Sequence, residues 1–147
     1  MSLLRSGKAV WHGTGLEGSG ALSTPSGVLN QTAYNVVNRF EDEKGESGTN
    51  PEELIAAAHA GCFCMALSFL ITGAGFHPTS LTAEATIKLR QQGFDWSFER
   101  IELNLDAKIE GIDEEQFLEL AKRAKETCPV SMALSAVEIV LNATLQK

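Results

Sequence analysis

The side chains here best suited to redox chemistry are the thiols of Cys62 and Cys128. Cys62 lies in the uncharged run Leu54 to Thr72, and Cys128 opens the sequence Cys128-Pro129-Val130-Ser131. A thiol attacks peroxides and disulfides only as thiolate, and an ordinary cysteine, with a pKa of about 8.5, is mostly protonated at neutral pH. Burial raises that value further. A reactive Cys62 therefore needs a cation or a hydrogen-bond donor. The helix dipole helps little, because Cys62 falls about three turns in from Pro51 and the effect fades within the first turn. Two side chains could serve: Arg39, just ahead of a polar loop, and His59, three residues back on the same helix face. Arg39 is preferred, since arginine stays charged in apolar surroundings. Glu52 could orient Arg39 through a paired, planar contact. The helix between Glu52 and Cys62 rises roughly 15 Å, so if Glu52 serves the thiol, a partner subunit brings it. Otherwise Glu52 is a first-turn carboxylate that stabilises the helix start, and Cys62 a small core hydrophobe.

Cys128 falls on a bend between two helices, which suits a resolving cysteine that must reach a sulfenic acid and close a disulfide. The plainer alternative is a small residue filling a turn. Cys64, two residues from Cys62, points to nearly the opposite helix face and reads as a core residue. A metal site would have to draw on His59, Cys62 and Cys128, without the closely spaced cysteine pairs such sites use. No metal or other cofactor is expected. Phe63, Phe94, Trp96 and Phe98 could line an apolar pocket or belong to the core.

These residues need elements to position them. Short β-prone runs at Lys8 to His12, Gly20 to Thr24 and Tyr34 to Phe40, with a turn signal at Pro25-Ser26-Gly27, predict an antiparallel meander. Glu41 to Thr49 predicts a solvated loop. At Asn50-Pro51-Glu52-Glu53 the chain has an N-cap, a first-position proline and two first-turn carboxylates, so a helix starts there. It should run to about Thr72, stop at Gly73-Ala74-Gly75, and be buried on most sides. Leu81 to Arg90 and Ser97 to Ile109 alternate apolar and polar residues as strands with one wet face, joined at Gln92-Gly93. A second helix starts at Asp113, with Gln116 completing a capping box, and ends before Pro129. A short helical turn through Ser135 and a strand from Val137 to Leu145 finish an α+β architecture.

The chain has 147 residues and a net charge of −7, enough for a single domain, 1–147, with its own core. Its basic residues are scattered, which argues against a nucleic-acid partner. Leu54 to Thr72 is long enough for a membrane span, yet it is rich in Ala and Gly, holds His59 and follows two glutamates, so no membrane association is expected. The N-terminus lacks a basic stretch followed by an apolar one, and three cysteines suit a reducing compartment. A cytoplasmic location is expected. A long central helix needs cover that so few elements provide, which suggests a dimer.

The segments Asn38-Arg39-Phe40-Glu41, Gly48-Thr49-Asn50-Pro51-Glu52-Glu53-Leu54, Ala57-Ala58-His59-Ala60-Gly61-Cys62-Phe63 and Cys128-Pro129-Val130-Ser131 closely resemble the osmotically inducible protein C and organic hydroperoxide resistance family. Gly27-Val28-Leu29-Asn30 and Gly75-Phe76 to Leu81 resemble its osmotically inducible branch in particular. The resemblance implies that family's fold, antiparallel sheets around a long buried central helix in an intertwined homodimer with two interface sites. It also implies a thiol-dependent peroxidase acting on organic hydroperoxides and, more weakly, hydrogen peroxide, recycled by an external dithiol. Carried over by position, Cys62 resembles the peroxidatic cysteine, Cys128 the resolving one, Arg39 the activating cation and Glu52 its carboxylate partner. Cys64 stands where many relatives carry a small residue. The rival expectation is a non-catalytic ligand-binding or metal-binding protein of the same fold.

Overall fold

In the computed structural model, which describes residues 1–147, the chain divides into two compact units, Met1–Leu54 and Ile55–Lys147. The first carries three antiparallel strands in the order β1 (Lys8–His12), β2 (Ser19–Ser23) and β3 (Thr32–Tyr34). Trp11 and Tyr34 tilt toward one another, ring centroids 5.4 Å apart. Gly20, paired with both residues in the sheet, lies between them, where any Cβ would strike both rings. The meander is thus as expected, but the strand predicted from Tyr34 to Phe40 is not formed. Strand β3 stops at Tyr34, and Val37–Glu41 makes a π-helical turn. The reason is local. Asn35 takes the Asn38 N–H on its side-chain oxygen at 2.9 Å, and its carbonyl accepts the Arg39 N–H at 3.2 Å. A side chain that offers the backbone a turn overrides the β-branched residues beside it.

Helix α1 (Pro51–Gly73) starts as its sequence demands, with the Glu53 N–H donating to the Asn50 side-chain oxygen at 2.8 Å. It ends in a left-handed Gly75 (φ +92°), with the Phe76 N–H donating to the Ile71 carbonyl at 3.1 Å, the wrap expected of a glycine-terminated helix. By length and composition α1 could cross a membrane. In the second unit, however, its stripe of His59, Phe63, Leu67 and Ile71 is buried to 5% exposure or less. Met65 and Phe69, on its other side, stay exposed.

That stripe packs into the core of a three-stranded sheet, β4 (Pro78–Gln92), β5 (Asp95–Ile109) and β6 (Glu138–Leu145), in the order β4-β5-β6. Strands β4 and β5 form a hairpin that turns at a left-handed Gly93 (φ +64°). Leu103, Leu105, Ala107 and Ile109 of β5 all enter the core, so one face is dry and the other wet, as the alternation predicts. Strand β6 pairs with β5 in parallel, whereas the sheet was expected to be antiparallel throughout. Parallel pairing requires a crossover, here α2 (Glu114–Thr127) and α3 (Pro129–Ala133). Helix α2 is capped by Asp113, whose side chain accepts the Gln116 N–H at 2.8 Å. It lays Phe117, Leu120, Ala121 and Ala124 on the same core.

Neighbouring positions on α2 separate core packing from surface. Phe117 is fully buried and Leu118 is 44% exposed, so Phe117→Ala should lose about 3–5 kcal/mol of unfolding free energy. Leu118→Ala should stay within about 0.5 kcal/mol of the parent, with urea titration as the check.

Candidate active site

Helix α1 and the α2–α3 junction bring together two residues far apart in sequence. Cys62 is one turn from His59 on α1. Cys128 sits between α2 and Pro129, with its N–H donating to the Ala124 carbonyl as the last turn of α2. The two sulfurs are 2.9 Å apart in hydrogen-bond contact. Both thiols are free, and a bond between them requires closing to about 2.03–2.05 Å. Cys62 is half-buried and Cys128 completely so.

Two thiolates cannot be held that close, so the pair carries at most one charge, shared with one proton. Burial pushes the Cys62 thiol up, and its hydrogen bond with Cys128 adds to that, against a smaller opposing pull from the Val130 N–H. Burial also opposes ionisation of Cys128. There, the contact with Cys62 and the neighbouring Ser131 and Val130 groups outweigh it and draw the thiol below the usual cysteine value.

The other two expected site residues meet in the first unit. Arg39, in the π-helical turn, donates Nη2–H to Glu52 Oε1 at 2.7 Å and Nε–H to both carboxylate oxygens at 3.1 and 3.2 Å. The guanidinium also lies 4.7 Å from the Phe40 ring centroid. Glu52 is buried and Arg39 remains partly open, so the carboxylate fixes the fork while leaving part of it accessible. The loop after Arg39 is pinned as well. Asp42 accepts the Ser47 N–H at 2.7 Å and the Lys44 N–H at 3.2 Å, and these bonds, chiefly those from Ser47, lower its carboxyl to about 2. Asn38 donates to the Ser47 hydroxyl at 2.8 Å.

Cys64, expected to be a core residue, is instead only partly buried and lies outside the core cluster; its thiol donates to the Leu81 carbonyl at 3.7 Å and burial raises it. Phe63 is sealed in the core and Phe94 stands fully exposed, so the four aromatic residues do not make one pocket wall. No group of three His, Cys, Asp or Glu side chains is arranged to hold a metal ion. His59 instead turns its Nε2 to the Ser131 hydroxyl, 2.7 Å away. Reading the sequence alone passed over Ser131. Its only signal there was the matched spacing of His59 to Cys62 and Cys128 to Ser131.

An α+β unit with a half-exposed thiol against a buried one has the geometry that thiol–disulfide chemistry requires. The family model described as OsmC-like protein matches residues 43–142. The chain is 44% identical to peroxiredoxin OsmC of Escherichia coli (strain K12) over 146 residues, 99% of each protein. It is 31% identical to organic hydroperoxide resistance protein OhrB of Bacillus subtilis (strain 168) over 115 residues, covering 78% of this chain and 81% of OhrB. The crystal structure of Bacillus subtilis OhrB superposes with a TM-score of 0.68 at 28% identity, over 95% of this chain and 98% of that one. An OsmC-like protein from Mycoplasma pneumoniae reaches 0.77 over the full length of both chains at 16% identity, a likeness of fold. The chain belongs to the OsmC-like family.

His59 gives the site a pH signature. Burial holds its pKa below the ordinary value, so the unfolded chain binds more protons on this residue than the folded one as pH falls. The resulting stability is complete above the unfolded pKa of about 6.5 and is lost progressively below it. Denaturant midpoints should fall between pH 7.5 and 5.5, and His59→Gln should flatten that slope.

Proposed function

We propose that this chain is a thiol-dependent peroxidase that reduces organic hydroperoxides, and hydrogen peroxide more weakly, to alcohols in oxidative or osmotic stress defence. The observation that carries this is the 2.9 Å approach of a half-exposed Cys62 to a buried Cys128. Cys62 thiolate attacks the distal oxygen of the hydroperoxide. The O–O bond breaks, the alkoxide leaves and takes a proton to become the alcohol, and Cys62 becomes a sulfenic acid. Cys128 then attacks the Cys62 sulfur, water departs, and a disulfide closes. An external dithiol returns both thiols. The sulfurs are the redox centre, so the cycle calls on no metal, haem or flavin.

The charge balance within the pair supports a role for Arg39. Burial and the Cys128 contact push the Cys62 thiol up, whereas attack on peroxide needs its thiolate. A fixed cation nearby offsets that. Arg39, held by Glu52, is that cation in this reading, and the roughly 15 Å helix rise between Glu52 and Cys62 favours delivery from a second copy of the chain. The active assembly is then a homodimer with its sites at the interface, working in the cytoplasm where dithiol reductants keep it turning over.

One equivalent of an alkyl hydroperoxide should remove two hydrogens from the reduced protein, mapped by non-reducing peptide mass analysis to Cys62 and Cys128, with Cys64 still alkylatable. Unchanged thiols after prolonged exposure would sink the peroxidase reading. Cys62→Ser should abolish peroxide consumption. Arg39→Ala should slow Cys62 oxidation by at least about tenfold at pH 7, as loss of the cation returns the thiol to its protonated form. That deficit should narrow as pH rises toward 9.

A further inference from the structure

Cys128 stands at the break between α2 and α3, and its backbone (φ −59°, ψ 123°) has left the helical region, as the residue before a proline tends to. Helix α3 is therefore no rigid continuation of α2, and what its side chains touch decides where it lies. Cys128 enters the core and Val130 packs against it, while Met132 is exposed. Two side chains of this junction hold α1 by polar contacts. Cys128 meets Cys62, sulfur to sulfur at 2.9 Å. Ser131, at 4% exposure, meets the fully buried His59, Oγ to Nε2 at 2.7 Å. His59 precedes Cys62 by three residues and Ser131 follows Cys128 by three, so the two bridges cross the joint side by side. His59 Nδ1 is buried with no partner. An orphaned buried N–H is rarer and costlier than an orphaned lone pair, which puts the ring proton on Nε2, donating to Ser131 Oγ.

We propose that His59 is a positioning residue: its hydrogen bond to Ser131 holds the α2–α3 junction against α1 while Cys62 is a sulfenic acid, so that Cys128 closes the disulfide before a second hydroperoxide reaches Cys62. The proposal rests on the peroxidase reading. The reaction treats the two bridges differently. Oxidation puts an oxygen on the sulfur that Cys128 contacts, and Cys128 must give up its thiol proton to attack, so the sulfur bridge is remade during the step. The His59–Ser131 bridge exchanges no atom or electron and stays. Two fates compete for the sulfenic acid. In one, the Cys128 thiolate attacks Cys62 Sγ, the S–S bond forms, the S–O bond breaks, and the departing hydroxide takes a proton to leave as water. In the other, Cys62 Sγ takes an oxygen from a second alkyl hydroperoxide, an alcohol departs, and the sulfur ends as a sulfinic acid that a dithiol does not reduce. Cys62 is half-buried, so the second route is open. The first is intramolecular, and its rate follows how often Cys128 Sγ lies within bonding reach. A tie that fixes α3 speeds it and leaves the second untouched. In the reduced protein the same tie removes in advance part of the freedom that a disulfide would remove, so it also favours the oxidised pair.

The test exposes reduced protein to rising concentrations of an alkyl hydroperoxide and measures, by peptide mass analysis, how Cys62 divides between disulfide and sulfinic acid. In the parent the disulfide should dominate. His59→Leu and Ser131→Ala should reach equal shares of the two products at about tenfold less hydroperoxide, the loss that one buried hydrogen bond accounts for, while the Cys62 thiol still disappears at the parent rate. The double variant should be no worse than either single one, since all three lack the same bond. His59→Gln, whose amide N–H is placed to donate to Ser131, should recover most of the parent ratio. In glutathione buffers without peroxide, the Cys62–Cys128 couple of both disruptive variants should shift by about 30 mV toward easier reduction, a tenfold change in its equilibrium constant. Ser131→Ala, which removes a single oxygen, reads the same outcomes if His59→Leu fails to fold. Parent product ratios or a parent potential in Ser131→Ala, or His59→Gln as impaired as His59→Leu, would overturn the proposal. Inertness of the reduced parent toward alkyl hydroperoxide, with the shift in potential intact, would instead remove the peroxidase reading alone.

Discussion

Two sulfurs stand 2.9 Å apart in hydrogen-bond contact, and much of the second unit serves to keep them there. The cost is real: burial works against ionisation of both thiols. A thiolate survives in such a place only when donors converge on it. The contact with Cys62 and the neighbouring Ser131 and Val130 groups lower the Cys128 thiol, whereas Val130 gives Cys62 only a smaller pull against burial.

The scaffold that sets the distance is simple. The buried stripe of α1 runs at four-residue intervals through His59, Phe63, Leu67 and Ile71, three of them in the core that also takes Leu103, Leu105, Ala107 and Ile109 of β5. Cys62 flanks that stripe with Ala66 and Leu70, so its rotation about the helix axis is fixed by apolar packing. Parallel pairing of β6 with β5 sets the other half. The chain must recross the sheet between them, and the bend at Cys128-Pro129 falls within that crossover, with Cys128 itself a member of the apolar core. Both sulfurs are thus carried on packed helices, and neither depends on a loop for its position.

Most of this was legible in the sequence, and the exceptions share a cause. Caps, glycine stops and alternation are local signals, so α1, the β4–β5 hairpin and α2 came out close to their observed bounds. Val36 and Val37 read as strand because β-branched residues usually are, and only the Asn35 side chain, competing for the Asn38 N–H, says otherwise. Alternation fixes which face of β6 is dry but not its direction, so the parallel pairing with β5 was invisible. The Arg39–Glu52 contact could be anticipated from charge and planarity. The His59–Ser131 contact, between residues 72 apart in sequence, could not, since a lone histidine on an apolar helix face looks like a tolerated core residue.

That histidine is nevertheless the least economical choice for its position. A leucine there would continue the apolar stripe, adding roughly the 1.5–3 kcal/mol of a buried aliphatic side chain. His59 instead brings a ring whose charged form burial disfavours and a Nδ1 that finds no partner. One hydrogen bond to Ser131 returns only about 0.5–1.5 kcal/mol of such a cost. Local rules for building a stable core are broken here in favour of one polar contact beside the sulfur pair, His59 to Ser131, and violations of that kind concentrate where a protein does chemistry. The stripe that holds α1 to its sheet and the polar contact that ties α1 to the α2–α3 junction therefore begin at the same residue, so a change in core packing around His59 bears on the junction that carries Cys128.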